Sequence, residues 1–157
     1  MRGGISYIAH RNAEANNKYM KNYNPENESS YIMYLDANNL YGWALSKPLP
    51  YKNFKWVEPK YYGNIKKKHI SHIYEVDLEY PDELHDLHND YPCAAVKIKV
   101  TDQILSDYCL DIKSRFKIGN GNVYKLIPTL YNKEKYVLHE ETLNLYLRLG
   151  LKLKKVH

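Results

Sequence analysis

The chain has 157 residues, with a hydrophobic share of 44%, a charged share of 26% and a formal net charge of +5. That length suits one domain with a real core and is too short for a large multidomain enzyme. No apolar run reaches the ~20 residues that span a bilayer, and no signal-like stretch follows Met1, so neither membrane insertion nor secretion is expected.

Two cysteines, Cys93 and Cys109, give no disulfide framework, which fits a reducing, intracellular compartment. The positive charge suits a partner with phosphates. An A/T-rich coding sequence would give the same abundance of Lys, Asn, Tyr and Ile, with arginine only at positions 2, 11, 115 and 148.

Residues 2–9 read as a glycine turn entering a short strand. Residues 12–30, rich in Asn, Glu and Ser, read as an exposed loop with one helical turn. Tyr31-Ile32-Met33-Tyr34-Leu35-Asp36 is an apolar run ending in a carboxylate. With apolar side chains on both alternations, it predicts a strand buried on both faces.

Leu40, Tyr41, Ala44 and Leu45 recur at helical spacing, with Asp36 or Asn38 as candidate N-caps, and Pro48 and Pro50 end that helix. Residues 54–57 suggest a short strand, and Lys66-Lys67-Lys68 a solvated loop. Residues 73–80 alternate acidic and apolar side chains, the mark of a half-buried strand, and Pro81 stops it.

A turn of helix is expected over 82–89 and a strand over 96–100. Thr101 is placed to cap a helix carrying Ile104, Leu105, Tyr108 and Ile112 on one side. Residues 125–130 and 135–138 suggest two strands around a turn at Asn132-Lys133. Residues 140–149 predict a helix stopped by Gly150, and 151–156 an edge strand with a lysine face. Mixed elements of this kind imply an α+β fold.

The chemistry concentrates in Asp36-Ala37-Asn38-Asn39-Leu40-Tyr41-Gly42. A strand that delivers a carboxylate to its end, then a turn and a helix start, sets an oxygen ligand for Mg²⁺ beside backbone amides that suit a triphosphate. Phosphoryl transfer depends on such positioning and charge neutralisation.

The run resembles the Asp-x-x-Ser-Leu-Tyr-Pro motif of family B DNA polymerases, the first of their three polymerisation motifs. With Asn39, Gly42 and the following Trp43-Ala44-Leu45-Ser46-Lys47-Pro48-Leu49-Pro50, it is similar to the protein-primed Polinton/Maverick and virus-like branch. The resemblance implies that Asp36 is the catalytic aspartate holding both Mg²⁺ ions. It implies amide contacts from Asn39, Leu40 and Tyr41 to the incoming deoxynucleoside triphosphate, with the Tyr41 ring excluding a 2′-hydroxyl.

Upstream, Met1-Arg2-Gly3-Gly4 resembles the second half of the Tyr-x-Gly-Gly motif of protein-primed polymerases, which implies DNA contacts from Arg2, Gly3 and Gly4. Glu75 to Pro81, Tyr136 to His139 and Leu149 to Leu151 also look like this branch. In that family an insertion after the first aspartate motif contacts the priming terminal protein and the DNA.

The organisation implied is a partial palm over residues 1–50 and an inserted α+β region over 51–157. The partners implied are a DNA template and primer strand, deoxynucleoside triphosphates and a terminal protein. The location implied is nuclear for a eukaryotic mobile element. The second and third motifs, the latter supplying the other metal carboxylate, do not occur in these residues. This chain alone is therefore expected not to polymerise, and to bind DNA weakly and without sequence preference. The alternative is a non-catalytic mobile-element remnant that binds DNA or protein only.

Other residues have plainer readings. Asp77-Leu78-Glu79 mimics a nuclease Asp-x-Glu, but alternation reads it as a strand face. His69, His72, His85, His88 and the two cysteines lack the compact spacing of a zinc site. Lys152, Lys154 and Lys155 suit either phosphate tracking or a protected edge strand, and Trp43 and Trp56 are expected as core or groove anchors.

Overall fold

The computed structural model describes residues 5, 7–10, 12–59, 70–119 and 124–157. Arg2, Gly3, Gly4 and Lys66 to Lys68 lie outside the described residues. The chain is α+β and divides into two compact units, one of Met1–Tyr7 with His72–His157 and one of Ile8–Ser71. The division expected near residue 50 falls inside the second of these.

In the first unit, β1 (Ile73–Glu79) is the centre of a three-stranded antiparallel sheet. Its alternation is realised: Tyr74, Val76 and Leu78 are buried, while Ile73 and Glu75 face solvent. Pro81, at φ −61°, ends the strand and opens a 3₁₀ turn that runs into α2 (His85–His88). Next come β2 (Val96–Lys99), α3 (Asp107–Arg115) and β3 (Tyr124–Ile127). Then follow β4 (Lys133–His139), α4 (Glu140–Arg148) and β5 (Lys152–Val156).

The larger sheet has the order β4-β1-β5, and β5 is an edge as its lysines suggested. Leu143 on α4 is fully buried, with Val76 and Leu78, and Leu151 is nearly so. Gly150, at φ +101°, closes α4 in the left-handed conformation, and a Cβ there would meet a Leu84 methyl at 2.9 Å.

Three expectations are corrected in this unit. The strands β3 and β4 are not a hairpin: β3 pairs with β2 in a separate two-stranded sheet, and β4 pairs with β1. A strand's residue pattern sets which faces are apolar but does not name its partner. Thr101 opens only a 3₁₀ turn over Asp102–Ile104, whereas α3 is capped by Ser106, whose hydroxyl accepts from Cys109 N–H at 3.3 Å.

The third correction concerns the linker before β4. Asn132 and Lys133, expected at a hairpin turn, are instead tied into the fold, Asn132 from an exposed position and Lys133 as the buried first residue of β4. Asn132 Oδ1 accepts from Tyr80 N–H at 2.7 Å, and Lys133 Nζ donates to Thr129 O at 2.8 Å and Thr129 Oγ1 at 2.6 Å.

In the second unit, residues 12–30 are more ordered than a solvated loop. Asn16 acts as an internal template: its amide reaches Asn24 O at 2.9 Å, Glu28 O at 3.1 Å and Asn27 O at 3.3 Å, and its Oδ1 accepts from Asn24 N–H at 2.8 Å. Asn17, 5% exposed, donates to Ser30 O at 3.0 Å, closing the segment's ends. Asn side chains imitate backbone partners in this way, so the segment closes without a helix or a strand.

Residues 31–36 are not in a strand, nor are the described residues of 2–9 or residues 54–57. Tyr31, Ile32, Met33, Tyr34 and Leu35 are 63–90% exposed. A strand buried on both faces needs neighbours that donate to and accept from it, and among the described residues none pairs with this run. The helix that follows, α1 (Leu40–Leu45), starts at its expected place but is capped by Asn39 rather than Asp36 or Asn38.

Candidate functional site

The run from Asp36 to Gly42 was the strongest chemical signal. Asp36 is exposed and precedes α1 by four residues. Asn39 sits at φ 51°, ψ 46°, a left-handed conformation that Asn tolerates better than most residues, and its Oδ1 accepts from Gly42 N–H at 3.2 Å.

This cap explains a pair of departures from the family motif. A proline at position 42 would have no N–H to give Asn39, and a Cβ there would overlap the Asn39 side chain. Asn39 and Gly42 therefore form one local solution, in which the turn is closed by side chain to backbone.

The other residues named from the motif follow directly. Leu40 is 56% exposed and Tyr41 is 88% exposed, so Tyr41 contributes to no core. Arg2, Gly3 and Gly4 lie outside the described residues. The donor chemistry at Asp36 fits a hard cation: an exposed carboxylate is what Mg²⁺ shares with phosphate oxygens and water. It offers one ligand, and among the described residues no three His, Cys, Asp or Glu side chains gather as a metal-holding group.

The two units differ in charge. Residues 8–71 hold ten Lys and Arg against five Asp and Glu, a net of +5. The remainder holds thirteen of each, so the whole positive excess of the chain belongs to the second unit.

In the first unit, lysines of β5 are matched by acids of the neighbouring elements. Lys154 reaches Glu79 at 2.8 Å, and Lys152 lies 3.5 Å from both Glu79 and Glu83. These ion pairs favour the edge-strand reading of those lysines over phosphate tracking. Asp77, the first residue of the nuclease-like triplet, joins both neighbours of β1. It accepts from Lys135 N–H at 2.8 Å and lies 2.8 Å from His157 Nε2. The Lys135 hydrogen bond, then the His157 partner, hold its carboxyl below the usual range.

Of the candidate zinc ligands, His69 lies outside the described residues, while His72 and His88 are held in structural hydrogen bonds. His72 Nδ1 lies 3.1 Å from Glu140 Oε2. His85 is 3.7 Å from Asp82 on a cleft of about 440 Å³ that also borders Glu79, Glu83 and Tyr131. His88 Nδ1 is 2.7 Å from the Tyr80 hydroxyl.

Tyr80 is a hub that sequence reading missed. Its hydroxyl also accepts from Cys93 N–H at 3.1 Å, and Lys133 Nζ stands 5.7 Å from its ring centroid. Burial pushes the phenol up to about 12 and Lys133 down to about 8. Nothing in the spacing of Tyr80, His88, Cys93 and Lys133 announces the cluster, because three separate segments bring it together.

Trp43 is 58% exposed and Trp56 is fully exposed, so neither is a core anchor. Lys47 Nζ lies 4.7 Å from the Trp43 ring centroid, and Lys52 Nζ lies 5.2 Å from that of Tyr51. Among the described residues no helix is long and apolar enough to cross a membrane. No protein-family model matches the chain, and no curated protein or solved structure matches it.

Proposed function

We propose that this chain is part of a DNA-directed DNA polymerase of family B, of the protein-primed type, and that Asp36 is its first metal-binding aspartate. The observation that carries the reading is the run Asp36 to Gly42, with its carboxylate exposed immediately before a tightly closed turn and helix start. The Asn39–Gly42 cap supports it, because it accounts for both departures from the Ser and Pro of the family motif.

In this reading Asp36 holds Mg²⁺, which, when bound, neutralises the triphosphate and activates the attacking hydroxyl. The amides of Asn39, Leu40 and Tyr41 orient the triphosphate, and the Tyr41 ring crowds the sugar. The template, the primer strand and a priming protein are the partners. A second carboxylate must come from outside the motif, since Asp36 is a single ligand.

A second reading, a non-catalytic remnant that binds DNA or protein, is favoured by one observation. Residues 31–35 expose large apolar side chains and pair with no strand among the described residues.

One experiment separates the two. A polypeptide that continues through the downstream polymerase motifs is assayed for primer extension with Mg²⁺, with and without Asp36→Ala. The enzyme reading expects extension that the substitution abolishes, with DNA binding retained. Extension that survives the substitution removes the assignment, and no extension by either protein supports the remnant.

A further inference from the structure

Residues 37–57 contain three lysines and no carboxylate. From Trp43 to Trp56, four aromatic rings stand in solvent: Trp43 at 58%, Tyr51 at 79%, Phe54 at 70% and Trp56 at 104% exposure. Rings grouped in one short, carboxylate-free stretch, rather than scattered singly, point to a surface that meets something. We propose that residues 43–56 form a track for single-stranded nucleic acid, with bases stacking on these rings and phosphates held by Lys47, Lys52 and Lys55.

Charge selects the partner class. The unit that carries this stretch holds the whole +5 excess of the chain. An apolar protein surface would satisfy the rings but leave three ammonium groups facing carbon. A strand of nucleic acid satisfies both, because each nucleotide brings a π-face and a negative charge.

Local geometry agrees. Lys47 and Lys52 lie over the rings of Trp43 and Tyr51, so a cation sits beside two of the four stacking platforms. Asn53, at φ 59°, turns the backbone between the Tyr51-Lys52 pair and the Phe54-Lys55-Trp56 group.

A single strand fits better than a duplex. Stacking on side-chain rings requires bases that are free of their own stack, and a duplex presents its charged backbone outward. Lysines with interleaved rings favour binding through phosphates and base faces, which tolerates any sequence. The proposal deepens the polymerase reading and rests on it for the identity of the strand as template. The binding chemistry rests on charge and exposure alone.

The test uses the chain itself, in which Trp43 and Trp56 are the two tryptophans. Adding oligo(dT) to the unaltered protein should quench tryptophan fluorescence saturably, and a duplex of equal length should bind at least about tenfold more weakly. Phe54→Ala and Trp56→Ala should each weaken oligo(dT) binding about 5- to 150-fold, as expected for one stacked base. Changing Lys47, Lys52 and Lys55 together to Gln should flatten the slope of log affinity against log salt by about two.

Absence of quenching overturns the proposal and leaves the rings as packing surface for another part of a longer polypeptide. Preference for the duplex overturns it too, as does unchanged affinity in the ring variants. The titration involves no nucleotide addition, so its failure leaves the role of Asp36 in primer extension standing. Failure of Asp36 in extension likewise leaves the titration standing.

Discussion

Replacing Tyr80 by Phe removes one oxygen from the hub of the first unit and leaves the ring beneath Lys133 in place. In the native protein that oxygen accepts from Cys93 N–H at 3.1 Å and meets His88 Nδ1 at 2.7 Å. With the phenol pushed up to about 12 it remains protonated, so its O–H can donate to His88 while its lone pair serves Cys93. All three residues are buried, at 3%, 9% and 5% exposure, and water does not readily replace the lost partner.

A buried polar group left unsatisfied costs about 1–3 kcal/mol, so losing both contacts should destabilise the unit by roughly 2–5 kcal/mol. For a unit of about 93 residues, each kcal/mol shifts Tm by about 4–8 °C, which puts the fall on the order of 10–20 °C or more. Thermal unfolding followed by circular dichroism reads the shift, and faster hydrogen exchange at the Cys93 amide locates it. Tyr131→Phe is the control, because that side chain is 75% exposed and should change stability by less than about 0.5 kcal/mol. Equal melting of the two variants would refute the hub.

Tyr41→Ala, in an active polypeptide carrying this segment, should relax discrimination against ribonucleotides by about tenfold or more while slowing deoxynucleotide addition less. An unchanged ratio in competing incorporation assays removes Tyr41 from the sugar pocket. Lys133 is held near 8 when folded and returns to about 10.5 when unfolded, so between those values only the unfolded chain keeps the proton. Folding stability should therefore rise with pH across that window by roughly 2–4 kcal/mol from this group, and urea titrations should show that rise vanish in Lys133→Met. Asp77 has the opposite sign: its depressed carboxyl adds stability above the ordinary Asp range, and that stability is lost as pH falls through its folded value. Asp77→Asn should lower the urea midpoint at neutral pH, with the gap to the unaltered protein closing in acid.

Where order is local, the residues alone decided the outcome. The alternation of residues 73–80 specified a half-buried strand, because period two puts every second side chain on one face whatever the partner. The apolar spacing and glycine stop of α4, the lysines of the β5 edge and the helix start after Asp36 were legible for the same reason.

Only the tertiary structure decided which strands pair. The patterns of β3 and β4 could not say that their partners are β2 and β1, because strand edges carry the same N–H and C=O groups everywhere. Burial was decided there too. Lys133, by type a surface residue, is 2% exposed because Thr129 and the Tyr80 ring surround it. Trp56, by type a core residue, is wholly exposed because no described element packs against it. Side-chain type sets the free energy of leaving water, but whether a given side chain leaves depends on which distant segments arrive to cover it.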